Sequence, residues 1–376
     1  MRFASGNCQA LAEGFPSGNL ATKARVRSPA FVRAHVNLKS PSVPGRDMIR
    51  VGILGSGGIS HAHADGYLDQ QNSSRARAVA VSDVVPAAAQ ALASRLGPDV
   101  KTYGDFHDLL DKEQLDAVDV CLPHNLHAEA IIAASKKGIA IMAEKPLTVS
   151  LEEARRVRDA IKGTGVKFLA AHTSIFTPSV QDAKKLAPSL VGKTYEVMTN
   201  ECGLSLGISG WRTRKAEMGG GELIDTGYHP TYRLLYLASS SPKAVYAQTR
   251  RFRLNMEGED TAHLLIEFDD GSTGEVNTSW AFDQPAGLHS FYAIGEKGQL
   301  YGEGNFLGYK VSGFSESTRK YDWKNPFIVE VSHFLDVIEG KAQPLQTIDD
   351  AYQVMRVIDA AYRSVESGKA EGLRKR

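Results

Sequence analysis

The run Val51-Gly52-Ile53-Leu54-Gly55-Ser56-Gly57-Gly58-Ile59-Ser60 constrains the fold of this chain more than any other segment. An apolar strand passes directly into a glycine-rich turn, and the turn into a helical stretch. Gly55 permits the tight turn, and Gly57 lets the backbone approach a pyrophosphate. Ser60 takes the third position, where a small side chain lets the helix pack close to the strand. Ser56, Gly58 and Ile59 complete a loop whose N–H groups, at the start of a helix, favour phosphate.

Strand and helix patterns continue to alternate beyond Ser60. Candidate strands are 49–54, 77–82, 117–122, 139–143 and 167–170, and between them lie Ala- and Leu-rich stretches such as 86–96 and 128–137. Ser150-Leu151-Glu152-Glu153 reads as a capping box opening a further helix. Alternation of this kind predicts a doubly wound parallel sheet, a Rossmann domain over residues 48–170, in an α/β fold. Asp83 ends the second strand, where a carboxylate accepts hydrogen bonds from the adenosine ribose and repels a 2′-phosphate. Val84, Val85 and Pro86 come next, with no Arg or Lys to hold such a phosphate. The expected cofactor is therefore NAD, with NADP the lesser fit. The competing reading of Asp83 is a helix cap, and one residue can serve as both.

Composition bounds the partners. The 376 residues suffice for two domains, and 42% apolar with 23% charged residues is the balance of a globular chain. A formal net charge of +1, from 44 basic and 43 acidic side chains, speaks against a nucleic-acid or membrane-surface partner. Cys8, Cys121 and Cys202 are scattered, so neither a disulfide framework nor a structural zinc site is expected. No apolar run is long enough to span a bilayer, and a cytoplasmic location is expected. Residues 1–47 stand apart: seven basic residues face only Glu13 and Asp47, and no periodicity is sustained. They read as a disordered tail, as a transit peptide, or as sequence upstream of a true start at Met48, the reading favoured because Met48-Ile49-Arg50-Val51 leads straight into the first strand.

Further along, Gly219-Gly220-Gly221-Glu222-Leu223-Ile224-Asp225-Thr226-Gly227-Tyr228-His229 places an acid and a histidine four apart. If the glycines turn and one helix follows, Asp225 and His229 share a face, and the acid can orient the imidazole. A histidine near its ordinary value of roughly 6.5 suits a general base. A lone histidine is more often structural, but three preceding glycines and the nearby acid favour function here. Lys145, in Glu144-Lys145-Pro146, ends an apolar strand, a poor place for a merely solvated charge. His61 and His63, two apart on a helix, do not share a face. His124 and His127, three apart, can share one, and no metal is expected at either pair.

With these motifs the chain resembles the Gfo/Idh/MocA oxidoreductase family, over roughly Met48 to the C-terminus. The resemblance rests on the glycine loop followed by His61-Ala62-His63, on Pro123-His124-Asn125-Leu126-His127, on Glu144-Lys145-Pro146, on Trp211-Arg212, on Gly219 to His229, and on the helical region ending Ala361-Tyr362-Arg363-Ser364. It implies a second α/β domain over residues 171–376 built on a large, mostly antiparallel sheet, with the last helices packing back on the Rossmann domain. The sequence supports this independently: 261–268 and 275–280 read as strands joined by the turn Asp269-Asp270-Gly271. The open face of that sheet is expected to join subunits into a homodimer or homotetramer.

The resemblance also implies roles. Leu122, Pro123, His124, His127, Glu144 and Lys145 join the glycine loop and Asp83 around the cofactor, with stabilisation of the loop as the alternative for His124 and His127. Lys145 binds the reacting hydroxyl, and the proline after it is commonly cis. His229, aided by Asp225 and Lys145, takes the hydroxyl proton while hydride passes to the nicotinamide. His172, Trp211, Lys145, Asp225 and His229 border the substrate; Trp211 and Tyr228 have packing in a core as their alternative. Two departures fall on the substrate side. The family's Arg-Phe pair is replaced by the stretch His172-Thr173-Ser174-Ile175-Phe176, and the acid three residues after the catalytic histidine is replaced by Tyr232. The expected activity is an NAD-dependent dehydrogenase of a sugar, cyclitol or related polyol. The alternatives are an NAD-retaining glycosidase of the same fold and a non-catalytic ligand sensor.

Overall fold

The computed structural model describes residues 48–374. The readings of residues 1–47 lie outside the described residues. Six strands, β1 (Ile49–Leu54), β2 (Ala76–Ser82), β3 (Lys101–Tyr103), β4 (Ala117–Val120), β5 (Ala140–Glu144) and β6 (Phe168–Ala171), form one parallel sheet in the order β3-β2-β1-β4-β5-β6. Between them run α1 (Gly58–Leu68), α2 (Pro86–Leu96), α3 (Phe106–Lys112), α4 (His124–Lys136) and α5 (Leu151–Thr164). Covered on both faces, β4, β5 and β6 are buried throughout, which explains why only Asp119 and Glu144 interrupt their apolar spelling. The order reverses between β1 and β4, and their carboxyl ends open the crevice where such sheets bind ligands. Edge strand β3 has only three residues and no apolar signature, so the sequence pattern missed it.

The helix at 151–164 is capped, though on one side only. The Ser150 hydroxyl accepts the Glu153 N–H at 3.2 Å, whereas the Glu153 carboxylate faces Arg156 at 3.5 Å instead of returning to Ser150.

The second half carries α6 (Pro178–Leu190), β7 (Thr194–Cys202), the short α7 (Lys215–Met218) and α8 (Glu222–Asp225), α9 (Tyr228–Leu237), β8 (Pro242–Arg250), β9 (Thr261–Phe268), β10 (Thr273–Ser279), β11 (Phe291–Gly295), β12 (Gly298–Glu303), β13 (Phe306–Val311), β14 (Ser317–Lys320), α10 (Pro326–Glu339), α11 (Ile348–Ser367) and β15 (Glu371–Gly372). Nine strands make the sheet β14-β13-β12-β11-β7-β10-β9-β8-β15; only β7 and β10 run parallel. In β9, Ala262, Leu264, Ile266 and Phe268 face the core, while His263, Leu265 and Glu267 face outward. The hairpin turns at Gly271 (φ +82°), as its Asp-Asp-Gly spelling predicts.

The last helices return to the first sheet. Helix α10 lies on α1, with Val331 against Gly66, and Arg75 reaches Asp336 at 2.6 Å and Glu339 at 2.8 Å. Helix α11, opened by a complete capping box of Thr347 and Asp350, contributes Ile348, Tyr352 and Met355 to the core under α5, and Val357 and Ala361 to the core under β8. The two sheets are thus bound by shared cores. Among the described residues no helix is long and apolar enough to cross a membrane.

Candidate active site

A cleft of about 400 Å³ runs from the glycine loop to His229. At its first end the backbone supplies the binding groups. Gly55 turns at φ +94°, and a side chain there would run into the Cys121 carbonyl. Around Gly57 and Gly58 nothing lies where a Cβ would stand, so bare backbone borders the cleft. No side chain caps α1, which leaves its first N–H groups free for an anion. Ile59 lines the same end, while Ser60 is buried and donates to the Gly57 carbonyl at 2.6 Å. Asp83 borders the cleft and accepts the Ser56 and Val85 N–H groups, each at 2.8 Å. It therefore ties the loop to β2 and puts a carboxylate on the border of the cleft. Open glycine backbone, an uncapped helix start and this acid together fit a dinucleotide.

The far end is ionic. Lys145, last before the cis Lys145–Pro146 bond, donates to Asp225 Oδ1 at 2.7 Å and to the Asp225 carbonyl at 3.1 Å. Arg212 Nε donates to the other carboxylate oxygen at 2.8 Å, and its guanidinium lies over the Trp211 ring at 4.8 Å. His124 Nε2 stands 4.0 Å from Asp225. Burial alone would raise the Asp225 carboxyl. Lys145 and Arg212 more than reverse this and hold it well below the carboxylate range. Burial pushes His124 down to about 3, so its ring is neutral; Nδ1 donates to the Met218 carbonyl at 3.2 Å and Trp211 packs edge-on at 4.6 Å.

His229 borders this cleft, but the expected Asp225–His229 pairing is not formed. The two residues do not sit on one regular helix. Gly227 N–H reaches back five residues to the Glu222 carbonyl at 2.9 Å, and His229 N–H only three, to Thr226, at 2.9 Å. A wide turn followed by a tight one breaks the run into α8 and α9 and rotates His229 off the Asp225 face. The Asp225 carboxylate bonds Lys145 and Arg212, and His229 Nδ1 lies 2.8 Å from Tyr232 Oη. Burial pushes the His229 imidazole well below its ordinary value, Lys145 and Arg233 push it further, and Asp225 acts the other way.

Leu122, Pro123 and His124 line the cleft. His127 and His172 do not line it; His127 instead fits the alternative expectation of stabilising the loop. His127 is fully buried between the Pro146 carbonyl (2.7 Å) and the Leu122 carbonyl (2.8 Å), joining the two loops that border the cleft. His172 is buried, bonded to Gln346 Oε1 at 2.7 Å, and lies flat on Tyr232. Glu144 borders the cleft, yet its carboxylate accepts the Lys145 N–H at 2.9 Å and faces His63 Nε2 at 3.0 Å. His63 Nδ1 meets Asp119 at 2.8 Å, with Tyr67 and Cys121 on the same carboxylate. Burial alone would lower His63, but Asp119 beside it carries the balance well above the ordinary value. Thr173 and Phe327 also border the cleft. Sequence reasoning gave no role to His63, Arg212, Thr173 or Phe327. Only Asp119, an acid inside the apolar strand Ala-Val-Asp-Val, signalled a buried partner.

A parallel-sheet crevice with a bare glycine loop at one end and a lysine–carboxylate pair beside a neutral histidine at the other is the site of a dinucleotide-dependent oxidoreductase. Residues 49–172 match the model of an oxidoreductase family with an NAD-binding Rossmann fold, and residues 187–301 match the C-terminal domain of the same GFO/IDH/MocA group. The chain is 31% identical to D-xylose 1-dehydrogenase (NADP(+)) 2 of Haloferax volcanii, over 85% of this chain and 98% of the relative. It is 28% identical to scyllo-inositol 2-dehydrogenase (NAD(+)) of Bacillus subtilis, over 85% and 95%. A solved levoglucosan dehydrogenase with NADH and levoglucosan superposes with a TM-score of 0.79 at 21% identity, over 88% of this chain and all of that one (100%). The chain belongs to the GFO/IDH/MocA family of NAD(P)-dependent oxidoreductases, enzymes that act on CH–OH groups.

Proposed function

We propose that this chain is an NAD-dependent dehydrogenase of a secondary alcohol on a sugar, cyclitol or related polyol. The observation that carries the reading is the Lys145 ammonium, held 2.7 Å from an ionised Asp225 on the same cleft as His229. The nicotinamide, when bound, supplies the hydride acceptor. Lys145 draws the substrate hydroxyl into place and favours its oxyanion. The neutral His229 imidazole takes the hydroxyl proton. Asp225 keeps Lys145 aimed, and Arg212 fixes Asp225 from the other side. In the reducing direction the same groups return the proton. Trp211, packed on His124 and under Arg212, walls the substrate end. Asp83 favours NAD over NADP, since a 2′-phosphate beside it meets an anion with no cation in Val84 or Val85.

Two further expectations belong to the same reading. The open face of the nine-stranded sheet carries Tyr246, Leu265, Glu275, Met198, Tyr292 and Tyr301 in one cross-strand row. A mostly apolar and aromatic row on an uncovered sheet supports a homodimer or homotetramer formed there; a cytoplasmic location is the second expectation.

The test is NADH absorbance with D-xylose, scyllo-inositol, levoglucosan and related polyols, with NAD and NADP in parallel. Growth of the signal with NAD, lost in His229→Ala, is the expected result. Silence across the panel with calorimetric NAD binding intact would point to the NAD-retaining glycosidase. Absence of binding to either dinucleotide would overturn the reading.

A further inference from the structure

Tyr232 stands where the family places an acid, and what it touches gives it a task. Its Oη lies 2.8 Å from His229 Nδ1 and accepts the Ser174 N–H at 3.0 Å. The Ser174 hydroxyl lies beside it, buried and with no hydrogen-bond partner formed among the described residues. His172 stacks on the phenol, centroids 4.2 Å apart and planes 2° from parallel, and is itself fixed by Gln346. The phenol is therefore held on every side. It is fully buried, and burial raises its hydroxyl far above the usual range, so it is neutral at any working pH.

Counting protons fixes what such a partner can do. A phenol has one proton and two lone pairs. The Ser174 N–H can only donate, so it takes one lone pair. In one arrangement His229 Nδ1–H donates to Oη and the phenol proton goes to Ser174 Oγ, leaving Nε2 an empty acceptor. In the other, the Ser174 hydroxyl donates to Oη, the phenol donates to Nδ1, and Nε2 carries the proton. With Nδ1 turned to Tyr232, the Nε2 edge is the one that borders the cleft. The charged and titratable groups around this ring are Lys145 at the end of β5, Arg233 on α9, Asp225 on α8 and His172 after β6. Two cations and a single anion, itself bonded to Lys145 and Arg212, favour a lone pair on that edge over a second donor beside the Lys145 ammonium.

We infer that Tyr232 is a positioning residue for His229, a neutral replacement for a carboxylate that receives Nδ1–H and leaves Nε2 open toward the substrate. The inference rests on the dehydrogenase reading for its purpose, but not for its geometry. A carboxylate at this place would attract a second proton onto the ring. The phenol orients without charging it, so the base stays ready for use in acid solution.

Two variants and two readouts test this. Tyr232→Phe keeps the ring stacked on His172 and deletes Oη. Ser174→Ala deletes only the acceptor of the phenol proton and stands in if the first variant fails to fold. In 15N-histidine-labelled full chain, with His229 assigned by its loss in His229→Gln, wild type should show the Nδ1–H tautomer with no titration near 6.5. Tyr232→Phe should bring in the Nε2–H tautomer, and Ser174→Ala should do so to a smaller extent. On a substrate that turns over, kcat of Tyr232→Phe should fall about tenfold with KM and NAD affinity unchanged. A wild-type Nε2–H tautomer, or a Tyr232→Phe protein with unaltered tautomer and kcat, overturns the inference. Failure of wild type to oxidise any polyol would strike the dehydrogenase reading alone, because the tautomer is read without turnover.

Discussion

The two ends of the cleft are made of different material. At the glycine loop the binding groups are backbone N–H donors, and one short run, Gly55 to Ser60, supplies nearly all of them. At the hydroxyl end they are side chains brought from β5, the segment before α7, α8 and α9: Lys145, Arg212, Asp225 and His229. Backbone chemistry depends on conformation, so the sequence spells it locally through glycine and small residues. Side-chain chemistry depends on which distant elements meet, and a single broken turn changes the partners. Hence Gly55, Gly57, Gly58, Ile59 and Asp83 line the cleft from one stretch of chain, while the Asp225–His229 pair dissolves into a Lys145–Asp225–Arg212 set and a His229–Tyr232 pair.

The largest effect that sharpens this contrast is Lys145→Ala. It removes the ammonium proposed to meet the developing oxyanion, and kcat should fall by about 10³-fold or more, on the order of 4 kcal/mol. NAD affinity measured by calorimetry should stay within about twofold, since the backbone end does not depend on this side chain. A loss of cofactor binding as large as the loss of kcat would show that the two ends are not separable.

A second effect lies beneath both ends. His63 stands between Asp119 and Glu144, fully buried, with its charge held by the two acids. His63→Gln leaves two buried carboxylates without a countercharge and should lower stability by about 3 kcal/mol at neutral pH in denaturant unfolding. The sign of the pH dependence comes from the raised value. The stabilisation is complete below the ordinary value of about 6.5 and is lost as pH rises through the higher folded one. The gap between wild type and variant should therefore narrow in alkaline solution. A gap that widens there would mean that His63 is neutral in the folded protein.

The same physics sets how far the sequence could be read. The strand–loop–helix order, Asp83 and the β9–β10 hairpin were legible because period, turn residues and glycine geometry are local. Lys145 drew attention because a lysine that ends an apolar strand has few other uses, and it lines the cleft. The expected Asp225–His229 pairing is not formed: four residues apart predicts one face only on an unbroken helix, and the five-residue reach of Gly227 was invisible. His127 and His172 carry ring nitrogens suited to a ligand, and only tertiary packing shows that carbonyls and Gln346 lie against them. Phe327 enters the cleft from α10, whose return to the first sheet left no mark at that position.

The smallest effect tests the backbone end itself. Asp83 has two tasks that one substitution can separate: it accepts the Ser56 and Val85 N–H groups, and it sets the charge that a ribose 2′-phosphate would meet. Asp83→Ser keeps a short acceptor but removes the anion. The ratio of NADP to NAD affinity, read by calorimetry with both dinucleotides, should rise about tenfold, or ~1.4 kcal/mol. Stability should fall by about 1 kcal/mol, because two backbone donors lose a charged acceptor. The decisive comparison is with Asp83→Asn, which retains one carbonyl for the loop and equally lacks the charge. If charge governs the choice of cofactor, Asn and Ser should shift the ratio alike while differing in stability. If instead the Asn variant keeps the wild-type ratio, the acid acts only by shaping the glycine loop, and the preference for NAD resides in the loop's geometry.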